Sequence, residues 1–92
     1  MGDYRKDTKT TLTVLHLRGD LAAPYAQELK SALLESLREA AEIEIDLSPV
    51  TEVDPVCLQL LCAAIKAGIG MNKRIRLVDP SGALERAVRR SD

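Results

Sequence analysis

Apolar and polar residues alternate with a period of two in several stretches of the chain, as expected for β-strands that turn one face towards a core. In residues 12–18, Leu15 and Leu17 fall on one face, whereas Val14 and His16 fall on the other. Residues 43–47 and 74–78 repeat the pattern, and residues 4–6 fit a short edge strand. The sequence therefore predicts a sheet of about four strands.

A helical period appears between these strands. The first predicted helix carries an apolar stripe made of Ala26, Leu29, Leu33, Leu37 and Ala40. The last, over residues 83–90, is predicted to turn Leu84, Ala87 and Val88 inward. Strands that alternate with helices indicate an α/β domain spanning residues 1–92, in the order β(β)αβαβα. Right-handed crossovers place the long helices on one face of a mixed sheet.

The helix between these two begins at Asp54 and Pro55, where the local chemistry is favourable. An Asp side chain can cap free amide groups, and Pro suits the first helical position because its missing N–H costs nothing there. Gly68 and Gly70 are predicted to end this helix in a left-handed turn.

The two sides of this middle helix differ in character. Cys57, Leu58, Leu61 and Ile65 share the side predicted to face the core. The opposite side is small and weakly polar, and consists of Pro55, Val56, Gln59, Ala63 and Lys66. This outer face is either a docking surface or a tolerant solvated face.

The stretch DLSPVTEVDPVCLQLL resembles the signature of the STAS domain, named for sulphate transporters and anti-sigma factor antagonists. The family pattern is a strand ending in Asp-Leu-Ser, a loop with spaced apolar residues, then Asp-Ser-Ser-Gly-Leu or Asp-Thr-Ala-Gly-Leu and an apolar helix. The first part is matched by Asp46, Leu47 and Ser48, and the second by Val50, Val53, Asp54, Leu58, Leu60 and Leu61. Gly19, Asp20 and Leu21 match a Gly-Glu-Leu-like turn of the family.

The resemblance implies a stand-alone STAS-type domain that binds a regulatory protein through the loop and helix beginning at Asp54. The implied contact residues are Asp20, Tyr25, Asp54, Pro55, Val56, Gln59, Ala63 and Lys66. One departure changes the regulation that the family suggests. Its phosphoacceptor Ser follows the Asp, and that position is Pro55 here, which has no hydroxyl.

Composition and charge limit the classes of partner. The 92-residue chain carries 13 Lys and Arg against 14 Asp and Glu, so no strong field draws it to nucleic acid or to a membrane surface. Aromatic residues are limited to two Tyr, which leaves no stacking platform for single-stranded nucleic acid. No apolar run approaches the roughly 20 residues of a membrane span, and the charged N-terminus has no signal-peptide core. We therefore expect a cytoplasmic protein without direct membrane insertion.

Candidate catalytic groups are sparse. Cys57 and Cys62 lie five positions apart, about 140° around a helix, so they form neither a disulfide nor a metal pair. Both are predicted to pack against the core; the alternative for Cys57 is a reactive thiol in the first helical turn. A nucleophilic set could be written from Cys57, His16 and Asp54, but its nucleophile is predicted to be buried. We expect no enzymatic activity, cofactor or metal.

Three functions remain open at this point. The first is an interaction module like an anti-sigma factor antagonist, with a kinase-like anti-sigma factor as its partner. The second is an accessory subunit of a lipid-transport ATPase complex, a role that some stand-alone STAS proteins have. The third is a nucleotide-binding module, which the resemblance permits but no residue of the sequence supports.

Overall fold

The computed structural model describes residues 2–91 as a mixed α/β fold with elements in the order ββαββαβα. The strands are β1 (Asp3–Lys9), β2 (Leu12–Leu21), β3 (Glu42–Asp46), β4 (Val50–Val53) and β5 (Arg74–Val78). The helices are α1 (Ala26–Glu39), α2 (Pro55–Gly70) and α3 (Ala83–Ser91), and a 3-10 turn at Ala23–Tyr25 precedes α1. The fold class predicted from the sequence is confirmed.

The sheet has the strand order β1-β2-β3-β5, with β4 paired to the far end of β2. β1 runs antiparallel to β2, whereas β3 is parallel to both β2 and β5. The first strand is longer than the predicted residues 4–6, because its whole length pairs with β2 in a hairpin. Its polar sequence conceals this, since neither of its faces carries an aliphatic stripe.

The hydrophobic core lies between one face of the sheet and the paired helices α1 and α2. The sheet contributes Leu15, Leu17, Ile43 and Ile45, all fully or almost fully buried. The predicted stripe of α1 also enters the core, except that Ala26 is only half-buried. Each buried Leu or Ile side chain stabilises the fold by about 1.5–3 kcal/mol relative to exposure. The opposite face of the sheet carries the polar side chains that alternate with these residues.

β4 departs from the expected fold, because the sequence predicts a loop over residues 50–53. The strand pairs in parallel with Gly19–Leu21, and the register shifts between Gly19 (φ 81°) and Asp20. Val50 and Val53 are buried, while the two residues between them are exposed. This spacing of three is not the period of a regular strand, so the pattern gave no strand signal.

The end of α2 differs from the prediction. Gly68 and Gly70 are both helical, and the left-handed residue is Asn72 (φ 60°), two positions beyond the helix. Gly68 serves packing instead: a Cβ there would lie 2.1 Å from Cδ1 of Ile75. The glycine therefore lets α2 approach β5 closely.

Two predicted packing residues are exposed. Val88 is 45% exposed on α3, a helix that packs mainly on β4 and α2. Cys62 is also exposed, which corrects its prediction as a packing residue. Leu61 and Ala64, on either side of it in α2, already fill the side that faces the core.

Among residues 2–91, no helix combines the length and apolar character needed to cross a membrane.

Candidate functional site

The start of α2 is fixed by its predicted cap. Oδ1 of Asp54 accepts a hydrogen bond from the Cys57 N–H at 3.0 Å, and Pro55 occupies the first helical position. The N–H of Asp54 donates to the carbonyl of Leu21 at 2.9 Å. The cap is therefore joined to the end of β2, which holds the beginning of α2 against the sheet edge.

A cleft of about 460 Å³ lies beside this helix start. Its polar lining comes from Asp20, Glu52, Asp54 and Arg90. Nη1 of Arg90 donates to Oε2 of Glu52 at 3.1 Å, and Nη2 donates to the carbonyl of Val53 at 3.3 Å. Glu52 and Arg90 are not among the site residues predicted from the sequence, because nothing local in the sequence indicates that α3 packs on β4.

The outer face of α2, defined by Pro55, Val56, Gln59, Ala63 and Lys66, is open along its length. All of these residues are exposed, Val56 to 47%. On the opposite side, the predicted Cys57, Leu58 and Leu61 are buried and Ile65 is half-buried. The two sides of α2 are therefore oriented as the sequence predicts, while the docking role of the outer face stays a prediction.

Asp20 and Tyr25 differ sharply in exposure. Asp20 is exposed at the end of β2, beside the cleft. Tyr25 is only 4% exposed, and burial raises the pKa of its hydroxyl far above the usual range. Its ring lies against Gly2, where a Cβ would be 2.8 Å from Cδ2 of the ring. Tyr25 therefore packs beneath the turn at Ala23–Tyr25 and offers little surface to a partner. The resemblance implied that it is a contact residue.

Cys57 is a packing residue, as predicted. Its side chain is fully buried, and its Sγ donates a hydrogen bond to the carbonyl of Ala22 at 3.4 Å. Burial, together with the neighbouring carboxylate of Asp54, raises the pKa of the thiol to about 11. The Cys-His-Asp set that could be written from the sequence, and that was disfavoured there, is not assembled, because His16 lies on the open face of the sheet.

His16 has two carboxylate neighbours that the sequence did not place near it. Its Nδ1 lies 2.9 Å from Oδ2 of Asp46, and its Nε2 lies 3.1 Å from Oδ2 of Asp7. Ser48 donates from its Oγ to Oδ1 of Asp46 at 2.5 Å. A hydrolytic triad requires the Ser hydroxyl on the imidazole nitrogen opposite the Asp, and here that nitrogen faces Asp7. Although the residue types match, the arrangement lacks an activated nucleophile.

Several solved structures share this fold. An anti-sigma factor antagonist from Mycobacterium paratuberculosis superposes with a TM-score of 0.85 at 20% identity, covering 99% of this chain and 78% of that one. The STAS domain of an antagonist from Rhodobacter sphaeroides gives 0.74 at 18%, covering 89% and 90%. The Bacillus cell fate determinant SpoIIAA, in its phosphorylated form, gives 0.78 at 14%, covering 97% and 83%. These similarities establish the common fold.

A comparison with curated proteins finds no match by sequence. A family model described as "Mlab, STAS domain" matches residues 5–92. The match includes all five strands, the cap of α2 and all three helices, apart from the first residues of β1. The chain therefore belongs to the STAS domain family.

Proposed function

We propose that the protein is a non-catalytic interaction module that docks a regulatory protein through the loop and helix beginning at Asp54. The observation that carries the proposal is the open, weakly charged outer face of α2. The similarity in fold between this protein and anti-sigma factor antagonists supports a kinase-like anti-sigma factor as the partner.

The composition of α2 favours contact with protein. Lys66 is its one charged residue, and Ala63 lies near the middle of the outer face. Small side chains let a partner approach closely, and few charges must be stripped of water when the interface forms. Asp20 and Asp54, at the end of the helix, supply polar groups for the rim.

The resemblance aligns the family's phosphoacceptor with Pro55, so we expect no phosphorylation at that position. Pro55 has no hydroxyl, and residues 54–58 contain no Ser, Thr or Tyr. SpoIIAA, which shares the fold, has a solved phosphorylated form. We infer that docking in the present protein is controlled by the abundance of the partners or by a group outside this helix turn.

The experiment introduces a charge into the outer face. The partner is co-purified from the native cells, identified, and measured against the purified protein by calorimetry. Ala63→Glu and Pro55→Glu should each weaken binding more than about tenfold, or 1.4 kcal/mol. The fold should stay cooperative, because both positions are exposed and a carboxylate is tolerated at a helix N-terminus.

Ser31→Glu is the matched control, because Ser31 is exposed on α1 and receives the same charge. It should leave both binding and the thermal midpoint unchanged. If Ala63→Glu unfolds the domain, the outer face is not solvated as described. If both test variants fold and bind normally, the partner docks elsewhere and the proposal is wrong.

The second candidate is an accessory subunit of a lipid-transport ATPase complex. A permanent subunit needs no phosphorylation switch, and permanent interfaces are more apolar than reversible ones. Pro55 and the exposed Val56 fit both requirements. Affinity purification of the tagged chain from detergent-solubilised membranes separates the candidates: a stoichiometric ATPase supports the second, and a soluble kinase-like protein supports the first.

A further inference from the structure

An apolar groove of about 200 Å³ runs between α1 and α2 on the outer surface of the helix layer. Its lining includes Lys30, Leu34, Leu37, Leu60, Ala63 and Ala67. Leu34 is 48% exposed, whereas Leu33 and Leu37 of the same helix are buried in the core. About half of the Leu34 surface therefore remains available to a ligand.

The two walls of the groove differ in a way that suits a row of aliphatic side chains. The α1 wall is formed by leucines, and the α2 wall is lined mainly by the small side chains of Ala63, Ala64 and Ala67. The groove is therefore wider along the alanines of α2 than along the larger leucines of α1. Helix-in-groove recognition uses surfaces of this kind, with apolar anchors spaced at i, i+3 or i+4, and i+7.

Within residues 2–91, the charged side chains of the groove lining and of the adjoining outer face of α2 are both lysines. Lys30 lines it, Lys66 is exposed on the same helix as the alanines, and α2 contains no acidic residue. The acidic residues Glu35 and Glu39 point away, towards Lys6 on β1. Within residues 2–91, neither Lys30 nor Lys66 forms an ion pair. Both lysines are therefore available to a ligand that carries negative charge.

We propose that this groove binds an amphipathic helix of the protein partner, with apolar side chains in the groove and acidic side chains against Lys30 and Lys66. The inference rests on the proposed function, because it takes a protein as the ligand, and it adds the chemistry of the segment that docks. The groove shares Ala63 with the outer face of α2, so one partner can cover both surfaces.

The charge pattern disfavours the other occupants. A symmetric contact between two copies would bring Lys30 and Lys66 close to the same lysines of the second copy, with no acidic residue of α2 to offset them. Recognition of anionic lipid by a surface uses clusters of about 4–8 basic residues. The groove also holds its leucines in a recess, whereas a membrane-bound helix projects them outward.

The test uses a pair of designed peptides as probes and the whole protein as the receptor. Both peptides are helical, about 15 residues long, with Leu at the anchor spacing; one carries Glu beside the anchors and the other carries Lys. Fluorescence anisotropy should give at least tenfold tighter binding for the Glu peptide. Leu34→Glu should weaken that binding at least tenfold, and added salt should reduce it.

Charge reversal provides the sharper readout. The variant with Lys30→Glu and Lys66→Glu should lose the Glu peptide and gain the Lys peptide, which a merely unfolded protein cannot do. Lys9→Glu, at an exposed position on β1, is the matched control and should change neither affinity. Circular dichroism verifies that each variant is folded.

Several results would overturn the inference. One is equal binding of the two peptides, or binding that Leu34→Glu leaves intact. Others are a dimer that Leu34→Glu abolishes, or binding to phosphatidylserine vesicles that the double variant abolishes. If Pro55→Glu blocks binding of the native partner while Leu34→Glu and the double variant do not, the inference that the partner binds in the groove is wrong, and the proposed function stands. If the Glu peptide binds as expected but Pro55→Glu and Ala63→Glu spare the native partner, the proposed function fails instead.

Discussion

At the scale of single residues, the two cysteines of α2 provide a contrast within one helix. Cys57 is fully buried and its thiol pKa is raised to about 11, whereas Cys62 is exposed. At pH 8, N-ethylmaleimide should therefore add one group to the native protein and two in denaturant. Peptide mapping by mass spectrometry should place the native adduct on Cys62.

Two variants control this experiment. Cys62→Ser should abolish native labelling, and Cys57→Ala should cost about 1 kcal/mol of unfolding free energy, because a small buried side chain is truncated. Rapid labelling of Cys57 in the Cys62→Ser variant would contradict the packing role and indicate a reactive thiol.

The hydroxyl groups around α2 lead to a second prediction at this scale. Protein purified from its own cells should carry no stoichiometric phosphate on residues 54–58, which intact mass and peptide mapping can measure. The nearest hydroxyls along the sequence are those of Thr51, which is exposed on β4, and Ser48, which is bonded to Asp46. A phosphate mapped to either residue would mean that the switch has moved.

Local contacts could be predicted from the sequence and distant ones could not. The cap formed by Asp54 joins residues three positions apart, so the pattern Asp-Pro before an apolar run was sufficient to predict it. The partners of His16 lie nine and thirty positions away on β1 and β3. Their approach depends on strand register, which no sequence pattern in this chain specifies.

At the scale of elements, the glycines of α2 separate helix propensity from packing. A Cβ at Gly68 would lie 2.1 Å from Cδ1 of Ile75, whereas a Cβ at Gly70 would have nothing within 4 Å. Gly70→Ala should stabilise the protein by up to about 1 kcal/mol, since Ala is the better helix former. Gly68→Ala should destabilise it by about 1–2 kcal/mol through overpacking, as measured by urea unfolding.

The double variant with Ile75→Val identifies the cause. Removing Cδ1 from Ile75 should recover part of the loss in the Gly68→Ala background, although Ile75→Val alone costs about 0.5–1.5 kcal/mol. Additive effects would contradict a direct clash, and a stabilising Gly68→Ala would show that α2 moves away from β5 at little cost.

The elements differed in how readily the sequence predicted them. The amphipathic pattern of α1 extends over several turns, so its buried side could be assigned correctly. β4 has only four residues, directly after Pro49, and its two buried valines are three positions apart. Its pairing with β2 depends on a register shift at Gly19, a tertiary feature that turns a loop-like sequence into a strand.

At the scale of the whole molecule, bonds between polar and ionisable side chains connect separate elements of the fold. Asp3 bonds to Arg18 between β1 and β2, Lys6 to Glu35 between β1 and α1, and Asp46 to His16 between β3 and β2. The alternation of strands and helices was predicted correctly, because each element shows its own pattern of apolar residues within a short segment of the sequence. These pairs could not be predicted, because they join positions brought together only by the assembled sheet.

These pairs predict how stability depends on acidity. The pKa of Asp46 lies below its usual value, chiefly because Ser48 donates a hydrogen bond to it, with His16 adding to the effect. Arg18 lowers the pKa of Asp3, and Lys6 lowers that of Glu35. A carboxyl group with a depressed folded pKa stabilises the fold above its unfolded pKa of about 4, and this contribution disappears as pH falls through the folded value. The unfolding free energy should therefore decrease progressively below about pH 4.

Asp46→Asn isolates one of these contributions. The variant keeps an oxygen that can accept from Ser48 but has no charge, so at pH 7 it should be less stable by about 1 kcal/mol or less, because solvent screens the group. The difference should narrow as pH falls through the depressed folded pKa of Asp46, because the carboxyl group of the parent protein then also becomes neutral. Urea titrations of both proteins between pH 7 and pH 2 measure this convergence. A difference that is the same at every pH would mean that Asp46 acts through shape and hydrogen bonding, and that its charge does not hold β3 against β2.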